Sequence, residues 1–155
     1  MSQLDVVRSG LRGQFQSIHL RIHELFEPLS TEQLWVRPFA YGNSIGHLML
    51  HLTGNLNYYI GARMADSGYV RHRDEEFTGP EISKEQVLGE FDRAMEMVLA
   101  TVAEQSDADW SLSYSAAGTK MADRFSMVLN CAAHADHHLG QILYLQREVL
   151  GRTGP

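Results

Sequence analysis

Residues 122–150 read ADRFSMVLNCAAHADHHLGQILYLQREVL, and this stretch decides the fold. Val128, Cys131, Ala135, Leu139, Ile142 and Val149 fall on one side of a 3.6-residue period, so the segment predicts a long helix with one apolar face. Gly151 predicts its stop. The same period recurs upstream. Leu4, Val7, Leu11, Phe15, Ile18, Ile22 and Leu25 predict a helix over about 3–27, and Pro28 disfavours helix at Glu27. Ser30-Thr31-Glu32-Gln33 reads as a capping box opening a short helical turn, and the loop after it carries Trp35, Arg37, Pro38 and Phe39. A second long helix starts after Asn43 or Ser44, either of which can cap it. Its stripe is Ile45, Leu48, Met49, Leu52, Leu56 and Tyr59, and Ser67-Gly68 marks its end. A third begins after Ser83, with Val87, Phe91, Met95, Val98 and Val102 inward.

The connections read differently. Residues 68–82 form a polar loop containing Gly79-Pro80. Residues 106–120 lack a helical period. Trp110, Leu112 and Tyr114 alternate there, and Ala117-Gly118 can turn a short hairpin. Four long amphipathic segments without a strong strand predict an all-α fold, a four-helix bundle. The middle connections are long enough to permit crossovers, so a simple up-down order is not assured. With 155 residues and 44% hydrophobic content, a sizeable core fits one domain over 1–155.

The formal net charge of −6 argues against a nucleic-acid partner, because phosphate binding wants clustered Lys and Arg. The densest basic run, Arg71-His72-Arg73, meets Asp74-Glu75-Glu76 at once and reads as a solvated loop. The one cysteine, Cys131, leaves no intrachain disulfide, which suits a reducing compartment. The N-terminus lacks the order of a signal peptide. No apolar run approaches the ~20 residues that span a bilayer. A soluble cytoplasmic protein without a membrane partner is expected.

Eight histidines stand out. His134 and His138 are one turn apart, so their imidazoles can aim at one point, as paired histidines do in helical metal sites. Both lie on the flank of the inward face, and His51 sits likewise on the second long helix. Three neutral imidazoles from two helices can bind a divalent metal and leave positions for water. The plainer reading is amphipathic packing at the edge of each stripe. His137 points toward solvent. His47 is paired with His51 but directed away from the core. His19 and His23 read as surface residues, and His72 as a loop residue. Cys131 reads as a small buried hydrophobe before a soft ligand. Gln141, three residues past His138, and Asn55, one turn past His51, are candidates to orient an imidazole. No Asp or Glu lies one turn from the three flank histidines, which argues against a di-iron carboxylate bundle.

Several segments resemble the DinB/YfiT-like superfamily. Asn43-Ser44-Ile45-Gly46 followed by His51-Leu52-Thr53-Gly54-Asn55-Leu56 resembles its second helix. His134-Ala135-Asp136-His137-His138-Leu139-Gly140-Gln141-Ile142 resembles its last-helix motif. Leu34-Trp35-Val36-Arg37-Pro38 resembles its lead-in to the second helix. The resemblance implies a four-helix bundle with a crossed connection, commonly a homodimer. It implies a divalent metal held by His51, His134 and His138, with zinc, nickel, iron and copper alike suited to imidazoles. It also implies a metal-dependent transferase that joins a low-molecular-weight thiol to a small-molecule electrophile. The alternatives are a metal-dependent amide or ester hydrolase, and a metal-binding stress protein without turnover.

Overall fold

The computed structural model describes residues 2–152. Side-chain caps start the helices where the sequence asks for them. α1 (Gln3–Phe26) opens on a capping box of Ser2 and Asp5, α2 (Thr31–Trp35) on Ser30 and Gln33, and α5 (Lys84–Glu104) on Ser83 and Gln86. α3 (Ile45–Leu56) opens on Ser44, whose hydroxyl accepts from the His47 N–H. α7 (Arg124–Arg152) begins after Asp123, whose Oδ1 accepts from the Ser126 N–H at 2.7 Å. Each cap satisfies an amide that the first helical turn leaves unpaired. α1 ends at Phe26, although Glu27 keeps helical angles before Pro28 and its N–H still donates to the His23 carbonyl, and the carbonyls at and just beyond this end are met from outside. Lys84 Nζ donates to the carbonyls of Phe26, Glu27 and Leu29 at 3.0, 3.2 and 2.8 Å. α7 runs on through Gly151, past the expected stop.

The apolar stripes meet in one core that includes Phe15, Ile22 and Phe26 of α1, Met49 and Leu56 of α3, Phe91 and Met95 of α5, and Val128 and Ile142 of α7. α1 packs on α5 and α7, and α3 packs on the same two, so α1 and α3 stand across one diagonal. Arg8, near the start of α1, donates through Nε to the Gln105 carbonyl beyond the end of α5 at 2.8 Å. Gln146, late in α7, donates to the Leu25 carbonyl at 2.9 Å. Tyr59, beyond the end of α3, donates to the Ala117 carbonyl before α7 at 3.2 Å. These ties fix the directions: α1 and α7 run one way, α3 and α5 the other. Because α3 and α5 are parallel, the chain between them must travel back along the bundle. That return is the crossover, and it carries a short helix, α4 (Glu75–Thr78), which periodicity did not reveal.

Two further departures lie near the end of α3. The helix widens into a π-helical stretch over Asn57–Ala62, where each amide reaches five residues back and the face presented by Tyr58 and Tyr59 is shifted. The expected hairpin shrinks to one bridge between Ser113 and Asp123, with Gly118 turning at φ +83°. Another short helix, α6 (Asp107–Trp110), precedes it. Among the described residues, no helix is long and apolar enough to cross a membrane.

α2 is held against α3 through a glycine. A Cβ on Gly46 would lie 2.6–2.7 Å from three ring atoms of Trp35. The indole is buried and anchored, since its Nε1–H donates to the Ile82 carbonyl at 3.0 Å. Gly46→Ala therefore overpacks a fixed ring and is expected to cost about 1–3 kcal/mol. Denaturant unfolding reads this directly, and an unchanged midpoint would mean that Trp35 can move aside.

Candidate metal centre

The inner face shared by α3 and α7 brings His51, His134 and His138 together, with ligand atoms all within 4.8 Å of one another. His134 Nε2 lies 3.0 Å from His138 Nε2 and 3.4 Å from His51 Nε2. One turn of α7 separates the first two, and α3 supplies the third from across the groove.

The far side of two rings is tied down. His51 Nδ1–H donates to Glu76 Oε2 at 2.8 Å, and His138 Nδ1–H donates to Gln141 Oε1 at 2.7 Å. An Nδ1–H donor leaves a lone pair at Nε2, so two lone pairs are aimed at His134 Nε2. A single N–H there can satisfy only one of them. His134 Nδ1 is itself buried without a partner. A divalent cation resolves this arrangement. With metal–nitrogen bonds of 2.0–2.1 Å, neighbouring ligand atoms should stand about 2.9 Å apart at right angles and about 3.3 Å apart in a tetrahedron. Of the two closer separations in the triad, 3.0 Å falls inside that range and 3.4 Å lies about 0.1 Å beyond its tetrahedral end, so a small inward turn of the rings fits the ion.

Glu76 was expected in a solvated loop, and the structure corrects this. α4 turns its side chain inward, where it is 7% exposed, and Arg71 is 10% exposed. Arg71 Nε donates to Glu76 Oε1 at 2.6 Å and Nη2 donates to Oε2 at 3.0 Å. Burial alone would raise the Glu76 carboxyl, but the bonds from His51 and Arg71 outweigh it and hold the group below its ordinary value. The carboxylate is thus kept charged against His51. Gly54 makes room for it, since a Cβ at that position would fall 2.3 Å from Glu76 Oε1. Phe77, next to Glu76 on α4, lies over the His51 ring with centroids 5.3 Å apart.

The remaining candidates fall elsewhere. His47 is buried rather than turned outward. Its Nδ1 lies 2.7 Å from the Ser44 hydroxyl, and its ring meets the edge of Trp35. It closes the start of α3 and does not join the triad. His137 is exposed. Cys131 is buried, and burial pushes its thiol up to about 12, as fits a small hydrophobe. Asn55 is buried beside the site, but its Oδ1 bonds neither ring. His19 and His23 meet at Asp92, far from the triad.

His51 and His134 open on a cleft of about 820 Å³ walled by Tyr58, Tyr59, Arg71 and Arg73. The π-helical stretch contributes both tyrosines. Tyr114 braces this wall, since its hydroxyl donates to the Tyr59 carbonyl at 2.7 Å.

Burial drives the His134 imidazole down from 6.5 to about 4, with His138 and His51 adding to the effect, and burial lowers His138 as well. The unfolded chain takes up protons near 6.5 that the folded rings refuse, so this contribution to stability is complete above that pH. Metal-free protein is therefore expected to lose stability as pH falls from about 6.5 to about 4. Denaturant melts across that window check the slope, which should be shallower in His134→Ala.

Comparisons with known proteins agree with this architecture. The chain superposes on the crystal structure of a conserved protein from Enterococcus faecalis with a TM-score of 0.76, covering 97% of this chain and 99% of that one at 16% identity. At that identity the likeness speaks for the fold. No curated protein matches the chain. The family model for the DinB superfamily matches residues 14–142, the span that holds all three converging histidines, and the chain belongs to that superfamily.

Proposed function

We propose that the protein is a metal-dependent enzyme in which His51, His134 and His138 hold one divalent ion, and that it transfers a low-molecular-weight thiol to a small electrophile. The meeting of three Nε2 atoms beside an open cleft carries this reading. A divalent cation in that position stabilises a thiolate near neutral pH and so supplies the nucleophile.

The chain's own residues prepare the site. Glu76 fixes the tautomer of His51, and Gln141 fixes that of His138. Arg73 puts positive charge on the cleft, which suits a thiol or electrophile bearing a carboxylate, whereas the charge of Arg71 is already met by Glu76. Tyr58 and Tyr59 offer aromatic walls to its apolar part. Cys131 is not the sulfur nucleophile, because burial keeps its thiol protonated. Glu76 is committed to His51 and Arg71, so it orients and does not shuttle protons. The proposed setting is the cytoplasm, and the proposed assembly is a homodimer. Exposed Leu20 on α1 and exposed Leu129 and Tyr144 on α7 are apolar surface that a second copy would cover. Light scattering reads that assembly.

The activity test is thiol-dependent consumption of chlorodinitrobenzene or monobromobimane. Turnover should vanish on chelation and in His134→Ala. Turnover that survives both would overturn the proposal. Metal-dependent ester or amide cleavage without thiol would replace the transferase reading with a hydrolase.

A further inference from the structure

A second cluster lies on the other side of the bundle. α1 and α5 are neighbours, as are α3 and α7, and the two pairs form opposite faces. His19 and His23 stand one turn apart on α1, so both rings lean over the same groove. Asp92 of α5 meets them there. Its Oδ1 accepts from His19 Nε2 at 2.6 Å and from His23 Nε2 at 2.7 Å. The three side chains are 30%, 40% and 36% exposed for His19, His23 and Asp92, so ions from solvent can reach them. Burial raises the Asp92 carboxyl, but the two ring contacts outweigh it and hold the group below its ordinary value, which keeps it anionic.

We propose that His19, His23 and Asp92 form a second divalent-metal site, taking a borderline transition ion such as Zn²⁺, Ni²⁺ or Cu²⁺. Their ligand atoms lie within 4.8 Å of one another. The nitrogen–oxygen separations sit just inside the roughly 2.9 Å expected between adjacent ligands at right angles. Two imidazoles and one carboxylate are the donor set of borderline metals, whereas Mg²⁺ and Ca²⁺ prefer oxygen alone. The cation would take the place of the ring protons now shared with a single carboxylate oxygen, and its outward positions would go to water. Because the ligands come from two helices, binding ties α1 to α5. It therefore raises the melting temperature by mass action, since the unfolded chain has no such site. The competing role is plain hydrogen bonding, in which the rings only satisfy the Asp92 carboxylate. That role predicts no metal uptake.

The test is zinc uptake by stripped, tag-free protein, measured by equilibrium dialysis with elemental analysis. Wild type should hold two ions per chain, His134→Ala one, His23→Gln one, and the double variant none. Zinc should raise the melting temperature of His134→Ala and should not raise that of the double variant. Asp92→Asn keeps the side chain's shape and removes its charge. Placed in the His134→Ala background, it should weaken zinc binding about tenfold or more, and it serves equally if His23→Gln fails to fold. A His134→Ala protein that holds no zinc, or one ion that survives His23→Gln, overturns the proposal. Wild type holding one ion that is lost in His23→Gln but kept in His134→Ala would sink the triad and leave this site standing.

Discussion

His134→Ala is expected to strip the ion from the α3/α7 site while the bundle stays folded. His134 Nε2 lies between the other two nitrogens, so its loss leaves His51 and His138 with two ligands and no third. The fall in affinity at this site should exceed the 10–100-fold that losing an orienting partner costs. Stability of the metal-free protein should change little. The substitution opens a small void, but it also removes a desolvated ring whose Nδ1 has no partner, a burden of about 1–3 kcal/mol. The two effects oppose, and the apolar stripes carry the fold. Circular dichroism should show unchanged helix content beside the lost metal. Loss of helix with the metal would mean that the ion is structural.

Glu76→Gln is the second large effect. The amide keeps the size of the side chain and can still accept one hydrogen bond through Oε1. It cannot neutralise Arg71, and it holds the His51 tautomer less firmly. Metal affinity at the triad is expected to fall by about 10–100-fold. Here stability should fall too, by up to about 3 kcal/mol, because the variant leaves the Arg71 charge buried without its partner. Isothermal titration with zinc and denaturant melts measure the two effects separately. A Glu76→Gln protein that binds as tightly as wild type would show that the carboxylate serves the crossover alone. Gly54→Ala should produce a milder form of the same defect, since its Cβ would displace Glu76.

The contrast between His134 and Glu76 shows what the sequence could reveal. His134 and His138 sit on one helix, where a four-residue spacing fixes a common direction. The helix caps were legible for the same reason, since Ser30 with Gln33 and Ser83 are local signals. Glu76 reaches His51 from 25 residues away along the crossover, and nothing local tells a buried carboxylate from a solvated one in a charged run. Gly54 was the available hint, because a glycine one face from His51 marks a close approach. His47 was misplaced for a related reason. Every residue of α3 except Leu50 is buried, because the crossover and α2 cover the side that a stripe argument leaves to solvent. Asp92 carries no local signal, because its partners lie on another helix. The π-helical stretch leaves no mark in a 3.6-residue pattern.

An anomalous-difference map from crystals of zinc-loaded protein, recorded at the zinc edge, tests the shared ion most directly. The expected peak lies between α3 and α7, within bonding reach of the Nε2 atoms of His51, His134 and His138 together. A map without density there, or with the ion held by fewer than those three rings, would contradict the account.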